Sequence, residues 1–212
     1  FNMSIKQQRI PAAWKQANVI PIFKGKGSKM EVENYRPISL TNVFCKLLES
    51  LIRTKIVEHL DANALISQSQ SGFRQGRSTL SQLFLSKSKL VECINDRACV
   101  DCVFTDLSKA FDSISHKKLL IKLRAYGIHE SICNWIEDFL SNRSQRVIVN
   151  NCSSNWLPCT SGVAQGSVLG PILFLIYVND LPDCIQNSDI FLYADDAKIL
   201  KRIVNMHDCL LL

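Results

Sequence analysis

Long hydrophobic runs are missing from this sequence. The longest, Ile172 to Val178, falls far short of the ~18 residues that a membrane-spanning helix needs. No signal-peptide pattern opens the chain. No internal repeat or low-complexity segment runs through it. Cys99 and Cys102 form a lone Cys-x-x-Cys with no second pair to complete a zinc site, so they read as packing residues of a strand. The nine cysteines are odd in number and scattered, unlike a dense disulfide scaffold, and point to a reducing, intracellular setting.

What is present is the composition of a globular protein: 212 residues, 47% hydrophobic and 21% charged, enough for one large domain or two small ones. A net charge of +6 permits a polyanionic partner without requiring one. The excess is concentrated. Within residues 1–50, Lys6, Arg9, Lys15, Lys24, Lys26, Lys29, Arg36 and Lys46 face only Glu31, Glu33 and Glu49.

Near the other end, Phe191-Leu192-Tyr193-Ala194-Asp195-Asp196-Ala197-Lys198-Ile199-Leu200 places two apolar runs around a pair of acids. The pattern predicts a β-hairpin with both carboxylates at or beside its turn. Adjacent like charges repel, so this is either a solvated acidic turn or a site for a divalent metal on oxygen ligands. Upstream, an apolar, β-branched strand over Cys99 to Thr105 ends at Asp106, where a carboxylate either caps the following turn or serves a site.

Between these lie the supporting elements. Val19 to Phe23 reads as an edge strand because Pro21 cannot donate in a central ladder. Tyr35 to Leu40 reads as a second strand. Lys24, Lys26 and Arg36 could then share one side of a hairpin, as a phosphate-binding cluster or a solvated basic loop. Asn42 caps a predicted helix to about Leu60, with Phe44, Leu47, Leu48, Leu51, Ile52, Ile56 and Leu60 on its apolar face. The polar loop Gln68 to Thr79 carries Arg74 and Arg77 and would suit a nucleic-acid backbone. A helix from Thr79 to Ile94 places Leu80, Leu83, Phe84, Leu90, Val91 and Ile94 in a stripe read as core. Two amphipathic helices follow: Leu119, Leu120 and Leu123 line the first, which Gly127 ends, and Ser131 opens the second. Gln145–Val149 and Trp156–Cys159 suggest a hairpin. The glycines of Ser161 to Pro171 let a backbone approach a ligand closely, and Pro171 suits the first turn of another helix.

In this order, Asp106, the loop Gln165-Gly166-Ser167 and Tyr193-Ala194-Asp195-Asp196 resemble the polymerase motifs of reverse transcriptases. The wording is similar to non-LTR retrotransposons of the jockey type. Ile20-Pro21-Ile22-Phe23-Lys24, Asn34-Tyr35-Arg36-Pro37-Ile38-Ser39-Leu40, Gly72-Phe73-Arg74, Phe104-Thr105-Asp106-Leu107-Ser108-Lys109-Ala110-Phe111-Asp112 and Gly162-Val163-Ala164-Gln165-Gly166-Ser167 all resemble blocks of that family. The resemblance covers essentially the whole chain.

The resemblance implies an α+β right-hand polymerase. Residues 1–95 would be fingers, with helices leading into the palm. Residues 96–212 would be palm, an antiparallel sheet backed by helices, with the thumb absent. It implies RNA-templated DNA synthesis from deoxynucleoside triphosphates on a DNA primer, in retrotransposition, with two Mg²⁺ ions or Mn²⁺ in their place. No membrane is implied, and the nucleus is the expected location. Asp106, Asp195 and Asp196 would be the catalytic metal ligands, Asp195 direct and Asp196 less so. Phe111 would sit under the sugar and exclude a 2′-hydroxyl, or else be plain core. Gln165 and Gly166 would meet the incoming nucleotide, Lys24 or Lys26 with Arg36 its triphosphate, and Arg74 and Arg77 the template. Only sixteen residues follow Asp196. The block that carries a proton-donating lysine in the family is therefore expected to be missing, and the fragment alone to be poorly active or inactive. The alternative is a catalytically inactive nucleic-acid-binding remnant.

Overall fold

The structure, a computed structural model, describes residues 1–205 and 208. The elements in chain order are α1 (Asn2–Gln7), β1 (Gln16–Phe23), β2 (Tyr35–Leu40), α2 (Val43–Ala62), α3 (Thr79–Asn95), β3 (Cys99–Asp106), α4 (His116–Ala125), α5 (Glu130–Leu140), β4 (Arg143–Val149), β5 (Cys152–Ser153), β6 (Leu157–Cys159), α6 (Gly170–Val178), β7 (Asp189–Tyr193) and β8 (Asp196–Ile203). The class is α+β. The chain divides into two compact units, each assembled from two segments. The first takes Phe1–Asn63 and Phe111–Phe174, the second Ala64–Ala110 and Leu175–Leu212. The border between residues 95 and 96 lies inside the second unit.

The first unit holds a five-stranded sheet in which β2 pairs β1, β1 pairs β4, and β4 carries both β5 and β6 on its far side. The sequence reading of Val19 to Phe23 as an edge strand holds from Ile20 onward. Asn18 and Val19 lie between neighbours, since Gln16–Val19 run parallel to Ser144–Val147 of β4 and the pairing with β2 begins at Asn18. Beyond Val19 only β2 is alongside, and there Pro21 stands directly opposite Pro37. Two opposed prolines are tolerated for a register reason. The Ser39 amide donates away from β1, to the Gln165 carbonyl at 2.7 Å. Pro37, two residues earlier, turns its nitrogen the same way, so the β1–β2 ladder needs no donor there.

Asn42 caps α2 as expected, its side chain accepting from the Phe44 and Cys45 amides at 2.9 and 3.3 Å. The buried stripe of α2 is narrower than the sequence suggested: Cys45, Leu48, Glu49, Ile52, Ile56 and Leu60 are buried, whereas Phe44, Leu47 and Leu51 are exposed. A helix lies against its core on one side only, and the i, i+3, i+4 row starting at Cys45 takes that side. On α4, Leu119, Leu120 and Leu123 are buried, and Gly127 at φ +77 terminates the helix with its amide on the Arg124 carbonyl. His129, not Ser131, caps α5. Trp135 and Phe139 of α5 stack at 5.5 Å and are fully buried. Asn150 and Asn151, both at positive φ, make the two-residue turn from β4 to β5.

The second unit holds an antiparallel three-stranded sheet, β3-β8-β7, with α3 against β3 and β7. The outer edge of β7 is covered. The Leu192 amide donates to Ser69 and the Ser71 amide to the Leu192 carbonyl, both at 2.9 Å, so residues 69–71 act as a short parallel neighbour. The stripe on α3 is not core, contrary to the sequence reading. Leu80, Leu83, Phe84, Val91 and Ile94 are exposed, and Ser86 is the buried residue of the helix. Apolar residues surround α3 on several sides, and the sheet takes the side of Ser86, whose hydroxyl meets Lys198 Nζ at 3.3 Å. Cys99 and Cys102 lie on β3 but are exposed rather than packed.

Truncation should therefore separate the two aromatics. Phe139→Ala is expected to cost about 3–5 kcal/mol in urea unfolding, and Phe84→Ala about 0.5 kcal/mol or less. A large loss at Phe84 would place α3 in the core after all.

Candidate active site

Strand register assembles the acids within the second unit. Asp106, the last residue of β3, stands directly opposite Asp196, the first residue of β8. Asp196 is in turn opposite Tyr193 of β7, leaving Ala194 and Asp195 as the two-residue turn. Directly opposed residues of an antiparallel pair have Cβ atoms roughly 5 Å apart, and like charges in that position are destabilising. The electrostatics agree. Partial burial first, then the neighbouring Asp195 and Asp106 charges, hold the Asp196 carboxyl above the ordinary aspartate range. The sequence reading paired Asp106 with Asp195 across the sheet; the residue directly opposite Asp106 is Asp196.

Three oxygen-donor side chains that repel one another suit a hard divalent cation. Among the described residues, no group of three His, Cys, Asp or Glu stands close enough to hold a metal by itself. Mg²⁺ does not ask for such a cage: it keeps several waters and is held by one or two carboxylates together with substrate phosphates. The donor set fits that mode of binding.

Arg74 and Arg77 also belong to the second unit, and both brace their own loop. Arg74 Nη1 donates to the Ser67 carbonyl at 2.9 Å and the Gln70 carbonyl at 3.4 Å, and Arg77 Nη2 donates to Gln68 Oε1 at 2.5 Å.

The other residues singled out from the sequence lie in the first unit. Gln165 and Gly166 sit on a loop tied at several points. The Gly162 and Val163 amides donate to Ile114 and Phe111 carbonyls, both at 2.9 Å. Gly166, at φ +116, has the Ser39 carbonyl oxygen 2.6 Å from where a Cβ would be. Its own protein neighbour therefore demands a glycine, whatever ligand approaches. Phe111 is half-buried and stacked on Phe174, ring centroids 4.5 Å apart. Lys24, Lys26 and Arg36 are all exposed. Arg36 opposes Ile22, and Lys24, two residues further on, continues the same face. Lys26 sits between two glycines at φ +81.

Two residues that hold these loops were not read from the sequence. Glu49 is fully buried, and its Oε2 accepts from Ser167 Oγ at 2.7 Å and from the Val168 and Leu169 amides at 2.8 and 3.0 Å. It thereby fixes the segment following Gln165 and Gly166. Burial and then the Glu49 carboxylate push the nearby Cys45 thiol up to about 12, so it stays neutral and inert. The available signal was a glutamate one turn from Cys45 on the buried side of α2. The second residue is Gln70, buried against the acidic turn; a polar residue two before Gly72 offered no periodicity to flag it.

The acid row at one end of an antiparallel sheet, in a chain of mixed α+β elements, suits a protein that binds divalent cations together with phosphates. Comparison with known proteins identifies the family. The family profile "Reverse transcriptase (RNA-dependent DNA polymerase)" matches residues 24–211, and the chain belongs to that family. It is 31% identical to the probable RNA-directed DNA polymerase from transposon BS of Drosophila melanogaster, over 94% of this chain. It is likewise 31% identical to the RNA-directed DNA polymerase from mobile element jockey of the same fly, over 95% of this chain. In both cases it spans 23% of the relative's length. Among solved structures, apo telomerase from Candida tropicalis superposes over 94% of this chain and 43% of its own at a TM-score of 0.65, with 9% identity, a likeness of fold alone.

The raised Asp196 carboxyl has a consequence with a definite sign. The folded chain keeps a proton that the unfolded chain has already released, so stability falls as pH rises from the ordinary aspartate range through Asp196's raised value. Asp196→Asn removes this penalty. The variant is expected to melt above the parent at pH 7, modestly because the site is largely exposed, with the gap closing in acid. Circular dichroism melts across pH check it; a parent more stable than the variant at pH 7 would refute the upward shift of Asp196.

Proposed function

We propose that this chain is a catalytic portion of an RNA-directed DNA polymerase, which extends a DNA primer on an RNA template with deoxynucleoside triphosphates during retrotransposition. The observation that carries this reading is Asp106 in register with Asp196, beside Asp195, in a member of the reverse transcriptase family. We read residues 1–95 as mostly fingers and 96–212 as palm.

Asp106 and Asp195 are the direct holders of the divalent cations in this reading, with Asp196 less direct. Two Mg²⁺ ions, when bound, supply a more nucleophilic primer 3′-hydroxyl and neutralisation of the triphosphate. The remaining tasks fall to the chain itself. Lys24, Lys26 and Arg36 are exposed cations on one hairpin and are suited to phosphate oxygens. Gln165 lies on a loop braced from both sides and is suited to hydrogen-bonding the incoming nucleotide. The Phe111 ring, held by its stack on Phe174, is suited to excluding a 2′-hydroxyl by contact. Arg74 and Arg77 would meet the template only by exchanging or sharing the loop contacts they now make.

Primer extension by the chain, alone and completed with the C-terminal part of the jockey polymerase, tests this. Asp106→Asn and Asp195→Asn are each expected to lower extension by at least about 100-fold. Undiminished extension by either would refute the assignment, and nucleic-acid binding without extension by the completed parent would favour a non-catalytic remnant. Phe111→Ala is expected to raise ribonucleotide incorporation by roughly 10–200-fold, the span open to discrimination by shape. Unchanged sugar selection would refute the steric role.

A further inference from the structure

The turn that carries Asp195 is strained on its own terms. Ala194 has φ +56, whereas Asp195, the other turn residue, does not have a positive φ. A positive φ at the first turn residue alone is the sign pattern of a type II′ hairpin turn, which favours glycine there. An alanine in that conformation persists only where its surroundings over-determine it.

One buried side chain bonds this residue directly. Gln70 is 2% exposed. Its Oε1 accepts from the Ala194 amide at 3.0 Å and from the Gly72 amide at 2.7 Å, and its Nε2 donates to the Ala194 carbonyl at 3.3 Å. The carboxamide thus satisfies both polar groups of Ala194, as the peptide of a neighbouring strand would. Residues 69–71 run beside β7 and deliver the side chain there. Gly72 completes the fit, since a Cβ on it would lie 2.2 Å from the Ala194 nitrogen.

We propose that Gln70 is a positioning residue for the acidic turn. By holding Ala194 in the left-handed region, it fixes where Asp195 stands relative to Asp106 and Asp196, and so sets the affinity of the acid row for divalent cations. The loop that the sequence marked as a template contact therefore serves the acid row from behind. The metal half of this inference rests on the function proposed above; the clamp on Ala194 does not.

Two readouts on the 212-residue chain keep those halves apart: amide exchange at Ala194 by NMR, without metal, and Mn²⁺ affinity by calorimetry. Gln70→Met, similar in shape but unable to bond, is expected to speed Ala194 exchange at least tenfold. It is also expected to weaken Mn²⁺ binding about 10–100-fold, the usual effect of losing a group that orients a metal ligand. Gln70→Glu, should the Met variant not fold, keeps an acceptor for the Ala194 and Gly72 amides but loses the donor to the Ala194 carbonyl. It is expected to retain amide protection and to disturb the metal affinity. Ala194→Gly relieves the strain, so adding Gln70→Met to it should weaken Mn²⁺ binding at least threefold less than in the parent. A merely structural glutamine would give the same loss in both backgrounds, and that equality would overturn the proposal. So would unchanged Ala194 exchange in Gln70→Met. If the parent itself binds no Mn²⁺, the metal reading fails, and Ala194 exchange still decides the clamp.

Discussion

Two carboxylates facing each other across a strand pair are the constraint to which this structure answers. The β3–β8 ladder fixes Asp106 opposite Asp196 by backbone bonds along its length, so both carboxylates project from the same face at one end of the sheet. Burial first, and then the Asp195 and Asp106 charges, shift Asp196 toward its neutral form. A fold that stores like charge at the end of a sheet has given up stability at that position, and functional sites are where proteins do this. A hard cation held partly by water and phosphate relieves it without an all-protein cage.

The same logic extends to the backbone around the functional loops. Within the first unit, buried Glu49 receives three donors from the segment after Gly166. Within the second, buried Gln70 grips Ala194 at both its amide and its carbonyl. In each case a buried polar side chain takes hydrogen bonds from loop groups, and the loop is thereby held in one conformation. Glycine supplies the complementary device: Gly166 against Ser39 and Gly72 against Ala194 allow backbone approaches that any Cβ would prevent.

Much of the fold was legible from local patterns. The N-cap of α2 and the end of α4, the two strands flanking the basic loop, and the acidic hairpin all follow from residues close in sequence, whose turn and capping chemistry needs no distant partner. The stripes on α2 and α3 were over-read for a physical reason. Periodicity tells which residues are apolar and share a side, but not which side meets a neighbour, and on α3 that side belongs to Ser86. Pro21 likewise marks where a donor is missing, while the register with Pro37 and the parallel run with β4 decide how far the strand is an edge.

The amino-acid sequence alone determined the identity of the acids, their order, and the family, because six short blocks of residues in a set order are a chemical signature independent of geometry. Only the tertiary structure decided that Asp196 rather than Asp195 opposes Asp106, and that Glu49 and Gln70 hold the loops. Those depend on register and on contacts between residues more than a hundred positions apart, such as Gln70 with Ala194 and Glu49 with Ser167. No local pattern encodes such contacts, because they exist only once the strands have paired.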